Sequence, residues 1–168
     1  MRKNQFSLNM FFLVLIPWII STVINRLTLV GDVYGKSSVI NIADTVLNIW
    51  LYVCIIYWYW VGKKFGTIGK GKKKSFILGN ILWGIGLIFY VILFFFTEES
   101  NSLKLIKVTP LLSGLAEGYS LGFTKWGRLI ASIFTKASNN NIHVLVSYGL
   151  MLFIFSIGFY RGKRRKFI

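Results

Sequence analysis

The 168-residue chain carries a formal charge of +15, from 20 Lys and Arg against 5 Asp and Glu, yet 55% of it is hydrophobic and 17% aromatic. That apolar share is far above an ordinary soluble domain, and the cations fall in short bursts between long apolar runs instead of covering a polar surface as in a nucleic-acid binder. Composition therefore excludes a soluble fold and a nucleic-acid partner, and predicts an all-α integral membrane protein whose cations meet lipid headgroups.

A helix rises about 1.5 Å per residue, so about 20 apolar residues cross a hydrocarbon core about 30 Å thick. Four stretches reach that length and form one membrane domain, a four-transmembrane-helix bundle. The first covers residues 6–24 and contains Pro17, which is expected to kink it. Arg2 and Lys3 give this stretch the outline of a signal peptide. Its exit, Ser21-Thr22-Val23-Ile24-Asn25-Arg26, lacks small residues at the spacing a signal peptidase reads, so an uncleaved helix is expected.

The second stretch covers 39–61. Ser37, Asn41, Asp44 and Asn48 precede or enter it at spacings of four, three and four, which aligns their side chains on one helix face. Asp44 is the only acid in any of the four stretches, and an ionisable group at that depth is a functional candidate by default. Arg26, at the far end of the first helix, is the cation expected to pair with it structurally. A polar-ligand or ion site on the same five residues is the alternative. Cys54, the single cysteine, excludes an intramolecular disulfide and a cysteine metal site; a small buried hydrophobe is expected there.

Between the second and third stretches lie Lys63, Lys64, Lys70, Lys72, Lys73 and Lys74. Gly66 to Lys72 match the letters of a phosphate-binding loop, but Lys73 stands where the magnesium-binding Ser or Thr belongs and the flanks are apolar helices. A basic hairpin against anionic lipid is the expectation. The third stretch covers 76–96 and the fourth 142–160, followed by Arg161, Lys163, Arg164, Arg165 and Lys166. The segments before the first helix, between the second and third, and after the fourth hold cations and no acid, so the positive-inside rule places both termini and the lysine-rich loop in the cytoplasm. Tyr57 to Trp60, just before Lys63, sit where an aromatic belt belongs.

The connection from Thr97 to Asn141 is long for a structureless loop. Within it Phe123, Trp126, Leu129, Ile130, Ile133 and Phe134 recur at helical spacing while Lys125, Arg128, Ser132 and Lys136 fall between. An amphipathic interfacial helix at 121–136, lying on the outer leaflet, is expected. A fifth spanning helix is the rival; it would bury Lys125 and Arg128.

No catalytic set emerges. Glu98-Glu99 lack the arginine and second histidine of an intramembrane protease signature. Ser147 and His143, one turn apart, lack an acidic orienter. A single histidine cannot build a zinc site. Gly79, Gly84, Gly86, Gly149 and Gly158 are expected to let helices approach closely. No metal or cofactor is implied. The expected function is that of a small non-enzymatic accessory, immunity or regulatory protein of the cell membrane, acting through contact with lipids or another membrane protein. A small transporter or channel component using the Asp44 stripe is the first alternative, and a membrane-embedded enzyme the second.

Overall fold

The structure, a computed structural model, describes residues 8–68, 71–96, 118–134 and 140–164. Its helices are α1 (Leu8–Val33), α2 (Ser37–Gly66), α3 (Lys72–Phe96), α4 (Thr124–Phe134) and α5 (Asn140–Arg164), with a 3-10 turn, Leu121–Phe123, leading into α4. Among the described residues there is no strand. Four of the helices are long and apolar enough to cross a membrane, over Met10–Thr28, Ser37–Gly66, Lys72–Leu93 and Ile142–Lys163. Each outlasts the apolar stretch read from the sequence, because nothing breaks the backbone where the polar residues begin.

α1 and α2 form a hairpin. Gly35 takes φ +61°, and the N–H of Lys36 reaches back to Gly31 O at 3.0 Å, the glycine-capped helix end in which a left-handed residue turns the chain out of the helix. Gly31 then admits Ile40, whose Cγ1 would lie 2.7 Å from a Cβ there. Further along, the Trp50 indole donates to Ser21 Oγ at 3.1 Å. Hereafter the end holding this turn is the turn end. The opposite end, which carries Lys63, Lys64, Lys72, Arg161 and Lys163, is the basic end.

α1 runs unbroken through Pro17, which is buried. Proline has no N–H to give the carbonyl four residues back, here Leu13. The Tyr57 hydroxyl donates to that carbonyl at 2.8 Å, and the Tyr119 hydroxyl donates to its neighbour, Val14 O, at 3.2 Å. An apolar surround offers a freed carbonyl no water, so two tyrosines from two different segments dock on the proline site.

At the basic end α2 and α5 run parallel with their backbones in contact. A Cβ at Gly62 would stand 2.3 Å from Phe155 O, and one at Gly66 2.2 Å from Phe159 O. From the other side, a Cβ at Gly158 would stand 2.1 Å from Tyr59 O and one at Gly162 2.2 Å from Lys63 O. Both helices thus carry a pair of glycines four apart, the spacing that lets helix backbones meet. Trp58, Phe65, Phe155 and Phe159 fill the core beside this contact and are almost wholly buried. Phe76 of α3 meets Phe155 and Phe159 edge-on at 5.7 and 5.2 Å.

α3 lies antiparallel to α5: Gly79 packs on Phe155, Gly86 on the Tyr148 hydroxyl, and the Trp83 indole donates to Tyr148 O at 2.9 Å. Two of the glycines expected to serve packing do not: Gly84 and Gly149 meet nothing within 4 Å.

The segment 118–134 is built into the bundle. Gly118 faces Trp18 and Thr22 of α1. Tyr119 reaches Val14 and meets Trp58 edge-on at 6.0 Å. A Cβ at Gly122 would come 2.5 Å from Cys54 Sγ, and Phe123 is fully buried. From there α4 climbs toward the turn end against α5, with Gly127 on Ser147 and His143. Its buried side is Phe123, Gly127 and Ala131, at spacings of four, whereas Leu129 and Ile133 are 57% and 73% exposed. A helix is therefore present over part of the expected element, and its packed side is the one carrying Gly127 and Ala131. Residues 135–136 of the expected element lie outside the described residues.

Candidate functional site: a polar groove between α2 and α4

Ser37, Asn41, Asp44 and Asn48 are all exposed on α2, as the spacing requires. They do not meet α1. The contacts with α1 come from Ile40, Trp50 and Tyr57, and at about 3.6 residues per turn the polar stripe lies roughly a third of a turn away from them. Arg26 is exposed on α1, at a level near Thr45 by the register of the Ser21–Trp50 bond. No ion pair joins it to Asp44. The expected structural pair is absent because level is right and side is wrong.

The stripe reaches α4 at Asn48. Asn48 Oδ1 accepts a hydrogen bond from Lys125 Nζ, and one turn nearer the basic end Tyr52 meets Trp126 edge-on, centroids 5.5 Å apart at 86°. These two contacts form the floor of a groove. Asp44 and Asn41 precede Asn48 by four and seven residues, so they stand above it toward the turn end on the same face. α4 runs the opposite way. Arg128 and Ser132, three and seven residues beyond Lys125, therefore share its exposed side of α4, nearer the turn end. Asp44, Lys125 and Arg128 are all exposed, and among the described residues neither Asp44 nor Arg128 has a hydrogen-bond or ion-pair partner. The sequence expectation has Lys125 and Arg128 between the apolar positions of an interfacial helix on the outer leaflet; nothing in the spacing alone brings Lys125 to Asn48.

The groove holds one anionic and two cationic groups with amides between them. It can bind polar groups of both signs, but it offers no nucleophile with a base. Ser147, one turn from His143, is buried and donates to His143 O at 2.7 Å on its own helix. That leaves its hydroxyl occupied. The His143 Nδ1 is buried without a partner among the described residues, and no cluster that could hold a metal ion occurs among them. Glu98, Glu99 and Glu117 lie outside the described residues.

A second concavity, of about 260 Å³, lies between α1 and α3, walled by Leu15, Trp18, Leu82 and Phe89 and reached by Tyr119. Its walls are apolar, and it carries no group able to do chemistry. Cys54 is buried beneath Gly122, a packing role.

At the basic end the cations lean on rings. Lys64 lies 5.2 Å from the Trp60 centroid, Arg161 donates to Tyr59 Oη at 3.3 Å, and Lys163 lies 5.9 Å from Tyr160. Lys72, Lys73 and Lys74 are exposed and Lys63 half-buried. Arg164 closes α5, while Lys70, Arg165 and Lys166 lie outside the described residues. Comparison of the chain with protein-family models, characterised proteins and solved structures gives no match, so its functional reading stands on the groove and the basic end alone.

Proposed function

We propose that the protein is a non-enzymatic accessory, immunity or regulatory protein of the cell membrane, crossing it four times with both termini cytoplasmic, and that it acts by contact with a partner at the α2–α4 groove. The basic end then lies at the cytoplasmic headgroups, where cations stacked on aromatic rings suit anionic lipid. Counting about 20 residues from Lys63 toward the turn end puts the outer hydrocarbon edge near Ala43. Ser37 and Asn41 then sit among headgroups, and Asp44 at the boundary. In the same frame segment 118–134 enters the bundle from outside and returns, instead of lying flat on the leaflet. Support comes from Tyr119, which bonds to Val14 O well along α1.

The observation that carries the reading is the exposure of Asp44 and Arg128 on the outside of the bundle, with no hydrogen-bond or ion-pair partner among the described residues. A permeation pathway would gather polar groups around an interior space, and the concavity between α1 and α3 is apolar. Polar groups turned outward at a hydrocarbon boundary favour association with something that satisfies them.

A photo-reactive amino acid at Thr45, exposed beside the stripe, tests this in cells, with Ile77 on the exposed face of α3 as control. A discrete adduct from position 45 that is missing from position 77 is expected. Equal, unspecific labelling at the two positions would contradict contact at the groove.

A further inference from the structure

The groove's charges and the polarity of the face below it select among partners. Asp44 lies one turn of α2 from Asn48, on which Lys125 is seated, and Arg128 lies one turn of α4 beyond Lys125; all three charged groups are exposed. A purely anionic group drawn to the two cations meets Asp44, and a simple cation drawn to Asp44 meets them in turn. A group holding both signs a few bonds apart satisfies all three. Along α2 the same face then changes character: below Ser37, Asn41, Asp44 and Asn48 come Tyr52 and Ile56, 63% and 69% exposed. The surface is polar for about three turns and apolar for the next two, as a molecule with a zwitterionic head and a hydrocarbon tail would require.

We infer that the groove binds an amine-bearing phospholipid of the outer leaflet, with its phosphate at Lys125 and Arg128, its ammonium at Asp44 and an acyl chain along Tyr52 and Ile56. The inference rests on the contact reading and names its partner. A helix from another protein fits less well, because it would have to carry an acid and a base within one turn of its own apolar span, where both are costly. A lipid headgroup brings the two charges already at the boundary. Lys125 is set in place for this role by Asn48, which takes one of its protons and leaves the others free for phosphate oxygens. Arg128 supplies a planar fork suited to two such oxygens.

The full-length protein, stripped of lipid in a mild detergent, is offered equal amounts of phosphatidylethanolamine and phosphatidylglycerol with identical chains, and the adducts are weighed by native mass spectrometry. The wild type should prefer phosphatidylethanolamine. Asp44→Asn should reverse that preference toward phosphatidylglycerol, Asp44→Glu should retain it, and Lys125→Gln with Arg128→Gln should weaken binding of both by about tenfold or more, the scale of losing a charge-assisted contact. Each variant is compared only where its helical circular dichroism and melting match the wild type; Asp44→Glu preserves the test if Asp44→Asn does not fold. Equal uptake of the two lipids by the wild type, or a preference that Asp44→Asn leaves unchanged, would overturn the lipid. The adduct from position 45 separates this from the broader reading: a protein there keeps contact and removes the lipid, while no adduct removes both.

Discussion

The two ends of the α2–α5 pair are opposites. At the basic end the helices touch backbone to backbone through Gly62, Gly66, Gly158 and Gly162, and the surroundings are aromatic and dry. Toward the turn end the segment 118–134 stands between them, with Gly122 on Cys54 and Gly127 on Ser147, and α2 is left with a polar side facing out. One pair of helices is clamped at one end and wedged apart at the other.

Breaking the clamp should have the largest effect. Gly62→Leu or Gly158→Leu should abolish the folded protein, and Gly62→Ala should cost about 1–3 kcal/mol, the range for overpacking a close contact, read as a lowered melting temperature in detergent. Gly84→Ala is the control. Its Cβ meets nothing within 4 Å, so it should leave stability unchanged or raise it by up to about 1 kcal/mol through helix propensity. A Gly62→Ala variant as stable as Gly84→Ala would show that the backbones do not meet.

The contact of α2 with the proline site of α1 is held by a smaller force. Tyr57→Phe removes the donor to Leu13 O and should cost about 0.6 kcal/mol, the average for hydrogen bonds between membrane helices, and no more than about 1.7 kcal/mol. In a Pro17→Ala background the helix recovers its own N–H, so the same change should cost much less. A full cost in both backgrounds would mean that Tyr57 stabilises by packing and not by serving the proline site.

How far these features were legible in the sequence follows from what kind of signal each leaves. The four long helices announce themselves because length and apolarity are collective, and no single residue decides them. The groove did not. Phe123 to Phe134 give the same periodicity whether a helix lies on a lipid surface or leans on another helix, and only the spacing Phe123, Gly127, Ala131 hints that its small side is the buried one. Of the four clamp glycines only Gly158 was expected to serve packing; Gly62, Gly66 and Gly162 stand among the cations at the helix ends, and the sequence does not state which helices meet there. The stripe of Ser37, Asn41, Asp44 and Asn48 is legible from its spacing alone. Its expected partner failed on rotation: a hairpin fixes the level of Arg26 against α2, while the side of α2 that meets α1 depends on Ile40, Trp50 and Tyr57 being the better packing surface.

The smallest stability effect should come from the groove itself. Asp44→Asn should shift stability by no more than about 0.5 kcal/mol, as expected for an exposed residue without a partner, and Arg26→Gln should neither worsen nor rescue it. A clear loss of melting temperature restored by the second change would reinstate the Arg26 pair. Topology is checked alongside: reporter fusions near Gly71 should score as cytoplasmic and fusions near Lys36 as external, and the reverse pattern would invert the bundle.

Cys54 offers the most direct test of the wedge, being the only cysteine in the chain. A Cβ at position 122 would lie 3.1 Å from Cys54 Cβ, slightly inside the usual disulfide range of about 3.5–4.5 Å, so a small shift suffices to bridge them. In membranes treated with a mild oxidant, Gly122→Cys should form an intramolecular disulfide with Cys54, seen as protection of both thiols from alkylation and its reversal by reductant. If Gly122→Cys stays free and reacts with a membrane-impermeant maleimide while Cys54 stays unmodified, segment 118–134 lies on the surface, and the groove does not exist.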